Sequence, residues 1–245
     1  MYDELKIYYG EDYVISKHIK IHQPTLSEIC EYGEQEYYSM INQLTATPQS
    51  MKVQLWDKGI DYTTITPYIL FYYLLHKLFP KEKTSIVFGA LDFTKFIVTT
   101  ENDTDDIVLY QEVDGDEVII NESIYNTIMN YLRQAHNIPK DERIPANETT
   151  KMVLIEDDRE EIERRKNEPY HSQLKNLVSA MINSEGFKYS HNEVWNMRIN
   201  AFMDSVKRIS KIKNAELLLQ SGYSGFGVNL KDVSNKQLNW LGELE

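Results

Sequence analysis

Hydrophobic and polar positions change register several times along this chain, and each register predicts a different element. Residues 4–22 read as a β-hairpin. LKIYY and VISKHIKI are rich in β-branched and aromatic residues, and Gly10-Glu11-Asp12 supplies the turn. In the second run Ile15, Lys17, Ile19 and Ile21 share one face, with Ser16, His18, Lys20 and His22 on the other. The spacing becomes helical after Pro24. Thr25 and Glu28 have the separation of a capping box. Leu26, Ile29, Cys30, Gly33, Tyr37, Met40, Ile41 and Leu44 then form one apolar stripe. On that stripe Cys30 reads as a small core residue. Gly33 reads as a place where a neighbouring element approaches closely. Two further helices are expected, from Thr47-Pro48 through Trp56 to a stop at Gly59, and from Thr66-Pro67 to just before Pro80.

Between residues 84 and 120 the runs SIVFG, KFIVTT, DIVLYQEV and EVIIN predict strands. The acidic stretch Asn102–Asp106 and the pair Asp114-Gly115 supply turns, the latter a strong hairpin signal. A helix follows from about Ser123 to His136, then a proline-containing linker over 137–150. Beyond it, helices are expected at 150–168, 172–184, 191–213 and 234–243. The stretch 156–168 is nearly all charge and reads as a solvated helix face with pairs Glu160–Arg164 and Glu161–Arg165. The predicted class is α+β: an N-terminal β-hairpin, helices and a small antiparallel sheet over residues 1–140, then a mainly helical C-terminal part over 150–245, as two domains.

Composition narrows the function. The net charge of −12 disfavours general binding to a phosphate backbone, so nucleic acid is not an expected partner. Lys188, Arg198, Lys207, Arg208, Lys211 and Lys213 make one local basic excess, which reads first as the polar face of an amphipathic helix complementing its own dipole. The 17 tyrosines suit either a polar-edged core or a surface that meets a partner. The first residues lack the pattern of a signal peptide. The longest apolar run, Tyr68 to Leu75, is too short to span a membrane. These features predict a protein of the cell interior.

Candidate chemistry is sparse. His18 and His22 are near in sequence, but strand rise would hold them roughly 13 Å apart, too far to chelate one ion. HExxH and CxxC are missing. Residues 101–123 are rich in acids, yet the spacing of a calcium loop is not met. Gly222-Tyr-Ser-Gly225-Phe-Gly227 lacks the lysine of a phosphate loop and follows a helical segment, which suits a helix end and an irregular turn. No G-x-S-x-G elbow exists. The expectation is a protein that is not an enzyme and needs no cofactor or metal. The enzymatic alternative would place a divalent ion at Asp103, Asp105 and Asp106.

The pattern I-x-Q-P-T-L-S-E-I-x-E-Y-G-E-x-x-Y-Y-S-M, Ile21 to Met40, resembles proteins from the tail-morphogenesis gene clusters of tailed phages that infect Gram-positive hosts. So do Leu55-Trp56-Asp57-x-Gly59-Ile60-Asp61-Tyr62, the run from Val194-Trp195-Asn196-Met197 through Phe202, Val206 and Arg208, and the closing Asn239-Trp240-Leu241. The resemblance implies a tail assembly chaperone or a virion component at the tail or head–tail joint. Its partners would be phage tail or other virion proteins, and its place the host cytoplasm or the virion. It carries over no catalytic residue. On aromatic density, the expected gripping surface is Tyr32, Tyr37, Tyr38, Tyr68, Phe71, Tyr72 and Tyr73.

Overall fold

The computed structural model describes residues 4–101, 106–224 and 227–244, and its architecture is the α+β arrangement that the patterning predicts. Its first element differs from expectation. LKIYY is helical: Glu4–Tyr9 forms α1, in which only Ile7 is buried. One buried position gives no alternation for a strand to satisfy, while Leu5, Tyr8 and Tyr9 gather on one side at helical spacing. Gly10, at φ 104°, ends α1. The hairpin is shorter than residues 4–22: β1 (Tyr13–Val14) pairs antiparallel with β2 (Lys20–Ile21). Ile19 and Ile21 are buried, as the alternation requires.

The long stripe folds as two helices, α2 (Leu26–Tyr32) and α3 (Glu34–Leu44). The capping box is made: the Glu28 N–H donates to Thr25 Oγ1 at 3.2 Å, and the Thr25 N–H donates to Glu28 Oε2 at 2.7 Å. Gly33 breaks the run at φ 103°, ψ 113°. Its role is this backbone turn. The atoms nearest to where a Cβ would stand belong to Glu36, so no neighbouring element presses on it. The break also removes Cys30 from the core. α2 buries Leu26 and Ile29, and Cys30 turns outward and is exposed.

The next segments follow the expected starts and stops. A short 3-10 turn leads into α4 (Lys52–Asp57), and Gly59 follows at φ 73°. α5 (Pro67–Leu70) is capped by Thr66 and runs on through a π turn, Phe71–Leu75, and a 3-10 turn, His76–Leu78. SIVFG is not a strand but the end of α6 (Lys81–Phe88). Thr84, Val87 and Phe88 are buried at i, i+3 and i+4, so a helical period wins over β-branching.

The sheet has the order β3 (Ile97–Thr100), β4 (Ile107–Val113), β5 (Asp116–Ile120), all antiparallel. Asp114 (φ 54°) and Gly115 (φ 82°) form the two-residue left-handed turn that matches strand twist. Leu109, Val118 and Ile120 bury one face, while all four residues of β3 are exposed. α7 (Glu122–His136) follows, capped by Asn121 and closed by left-handed Asn137.

α8 (Glu148–Arg165) is held to the α4 region by pairs of Lys52 with Asp158, Arg159 with Asp57, and Lys151 with Asp61. On its outer face Glu161 pairs with both Arg164 and Arg165. The helices α9 (Gln173–Ile182), α10 (Ile199–Tyr223) and α11 (Asn235–Leu238) complete the fold. α10 starts later than the expected 191, because the backbone before it is engaged elsewhere. The Leu26 N–H donates to Met197 O at 3.1 Å, and the Ile199 N–H donates to Pro24 O at 2.9 Å. Arg198 is therefore extended, and helix can begin only at the next residue. Buried apolar side chains from Ile7 to Phe202 form one cluster.

Candidate functional site

The seven expected gripping residues separate in the fold. Tyr37, Tyr68 and Phe71 lie in the core. The Tyr37 hydroxyl meets His136 Nε2 at 2.6 Å, and the Tyr68 hydroxyl donates to Ile120 O at 2.7 Å and Ile107 O at 3.1 Å. Tyr32, Tyr38 and Tyr72 are partly buried against the same core, and the Tyr32 hydroxyl donates to Lys83 O. Tyr73 is exposed. Burial pushes the Tyr38 hydroxyl well above its ordinary range and Tyr125 up to about 12, as expected of neutral phenols held among apolar groups.

A different apolar surface is open. A groove of about 720 Å³ lies between α1 and the start of α10. Its apolar lining is Leu5, Tyr8, Tyr9, Tyr189, Met197 and Ala201. Leu5 is 76%, Tyr8 52%, Tyr9 82% and Tyr189 47% exposed, so these side chains are presented to solvent across a continuous concavity. The wall is rigidly set. Arg198 donates to Gln23 O at 2.7 Å and reaches His22 and Glu28, which ties the first turn of α10 to the cap of α2. Gly10 lets α1 close on this wall, since a Cβ there would stand 3.2 Å from Arg198 Cγ.

Polar groups sit at the rim. Lys6, Glu11, Glu193 and Arg198 line the same groove. Glu193 accepts from the Ser190 hydroxyl at 2.7 Å and the Ser190 N–H at 2.8 Å, and these bonds hold its carboxyl below the ordinary range. Burial raises both Tyr8 and nearby Asp204. A mixed-sign rim around an aromatic floor is suited to gripping an amphipathic segment.

The sequence reading missed Leu5, Tyr8, Tyr9 and Tyr189. The signal was there for the first three: 5, 8 and 9 are i, i+3 and i+4, a helical stripe hidden in a stretch of β-prone residues. Tyr189 precedes α10 and belongs to no helical stripe, so only the fold brings it beside α1.

Other candidate chemistry does not converge. His18 and His22 bond to separate carboxylates, Asp116 and Asp12. Among the described residues no group of three His, Cys, Asp or Glu side chains could hold a metal ion. Asp103 and Asp105 lie outside the described residues, as does Gly225 of the glycine cluster. Several cations of the basic stretch engage the chain itself: Arg208 donates to Trp240 O and Gly242 O, Lys211 to Glu243 O, and Lys213 to Ser184 Oγ. No described helix is long and apolar enough to cross a membrane.

Comparison with curated proteins and with solved structures gives no match. A family model, described as the YomV second domain, matches residues 164–245. That segment holds α9, α10, α11 and the Tyr189–Ser205 wall of the groove. The last third of the chain is therefore similar to the YomV second domain, a phage-associated domain family.

Proposed function

We propose that this is a non-enzymatic phage assembly protein, similar to a tail assembly chaperone, which holds a helical tail protein in the aromatic groove between α1 and α10. The observation that carries the reading is the open apolar floor of Leu5, Tyr8, Tyr9 and Tyr189, one wall of which lies in the segment similar to a phage-associated domain. Work of this kind needs exposed aromatic surface to cover apolar stripes, and excess charge to keep the complex in solution. Both are present, with a net charge of −12. The partner would be an amphipathic helix with apolar anchors at i, i+3 and i+7.

Co-expression with the tail and virion proteins encoded beside it tests this. A stable complex is expected with one of them, lost in Tyr9→Ala/Tyr189→Ala, whose exposed side chains can be removed without opening the core. No complex with any neighbour, or one indifferent to that double change, would refute the proposal.

A further inference from the structure

We infer that the groove between α1 and α10 selects a cationic helix, one whose lysines or arginines flank its apolar stripe and are held by Glu11, Glu193 and the faces of Tyr8, Tyr9 and Tyr189. This rests on the groove reading above and adds the charge of the partner to it. Lys6, Glu11, Glu193 and Arg198 are the charged residues of the lining, and their formal charges cancel. What decides is which of them the chain has already compensated. Arg198 serves its own chain: Nη1 donates to Gln23 O at 2.7 Å and pairs with Glu28 Oε2 at 3.4 Å, and Glu28 does not line the groove. Lys6 is engaged within the chain as well.

The two carboxylates are not compensated. Glu11 is exposed and bonds through its main chain alone: its N–H donates to Lys6 O at 3.1 Å, and its C=O accepts from Gln23 Nε2 at 2.9 Å. Among the described residues its carboxylate has no hydrogen bond or ion pair. Glu193 is bonded through Oε2 only, and both donors, the Ser190 hydroxyl and N–H, are neutral. Those bonds keep it ionised, and among the described residues no cation pairs with it. Asp204, near Tyr8, adds little, since Arg208 and Lys207 balance it. A groove whose cations are engaged and whose anions are not presents negative potential to whatever enters. The aromatic lining has the same preference: tyrosine faces attract ammonium and guanidinium groups and offer nothing to a carboxylate. The net charge of −12 draws a cationic partner from a distance, and the two acids of the lining fix where its charges come to rest.

Isothermal titration calorimetry with three synthetic amphipathic helices tests it. All carry one leucine stripe and differ only at their polar positions, filled with lysine, glutamine or glutamate. The lysine helix is expected to bind roughly tenfold more tightly than the glutamine helix, since two exposed ion pairs are gained, and the glutamate helix most weakly. Glu11→Gln/Glu193→Gln should bring the lysine helix down to the affinity of the glutamine helix. Asp157→Asn/Glu160→Gln removes the same charge at exposed positions of α8 that do not line the groove, and should keep the preference. If the first double variant does not fold, Glu11→Gln alone should cut the preference roughly threefold. Three helices bound equally, a glutamate helix bound best, or a preference that survives Glu11→Gln/Glu193→Gln or is lost in Asp157→Asn/Glu160→Gln would overturn the inference and leave the groove standing. Binding of none, or binding indifferent to Tyr9→Ala/Tyr189→Ala, would remove the groove reading itself and this inference with it.

Discussion

The buried pair Tyr37–His136 allows the sharpest stability prediction. His136 Nδ1–H donates to Leu132 O at 2.7 Å, which leaves Nε2 as an acceptor, and the Tyr37 hydroxyl donates to it at 2.6 Å. The imidazole is thus neutral and doubly satisfied. Burial lowers its pKa from 6.5 to about 4, against a smaller opposing effect of the Leu132 bond. A histidine depressed in the folded state binds fewer protons there than in the unfolded chain. Its contribution is complete above pH 6.5 and is lost as pH falls from 6.5 to about 4. That gap corresponds to about 3 kcal/mol. Tyr37→Phe removes the donor and strands a buried acceptor, at a cost of about 1–3 kcal/mol. A loss of 2 kcal/mol lowers the melting temperature of a chain this size by about 4–8 °C. His136→Met should flatten the pH slope, and Tyr37→Phe/His136→Met should recover most of the loss, since both polar partners are then gone. Urea titrations at pH 4.5, 5.5 and 7.5 measure all of this. The reasoning fails if Tyr37→Phe matches the parent within about 0.5 kcal/mol, or if the slope of His136→Met equals that of the parent.

Two further outcomes follow from local geometry. Gly33→Ala places a Cβ 2.6 Å from Glu36 Oε2 at a backbone angle of 103° that side chains rarely adopt, and should cost about 1–3 kcal/mol by thermal melting; an unchanged melt would show that the α2–α3 break relaxes freely. Asp61 is held down to about 2 by its bond to the Lys151 ammonium and then by Thr63, so its contribution exists above its ordinary pKa and is lost as pH falls from about 4 towards 2. Asp61→Asn should remove about 1 kcal/mol at neutral pH and speed hydrogen exchange in α8, and exchange confined to its former rate would contradict the anchoring role.

Local chemistry was legible before the fold. The Thr25–Glu28 box, the starts at Pro48 and Pro67, the Asp114-Gly115 turn and the amphipathic α7 were all readable, because each depends on residues within one turn of each other. The α+β class followed from the same signals. Tertiary structure decided what depends on distant partners. β-prone SIVFG became the end of a helix because Val87 and Phe88 share a buried helical face with Thr84, and β-prone LKIYY became helical because its one buried residue, Ile7, offers no strand alternation. Cys30 left the core when Gly33 turned the chain, and Tyr37, Tyr68 and Phe71 were drawn inside by His136, the sheet and the aromatic core. The groove itself arises where Arg198 joins segments 170 residues apart, at Glu28. Sequence spacing reports which face of an element is apolar; only packing settles whether that face is covered, and the uncovered faces are where this protein can meet another.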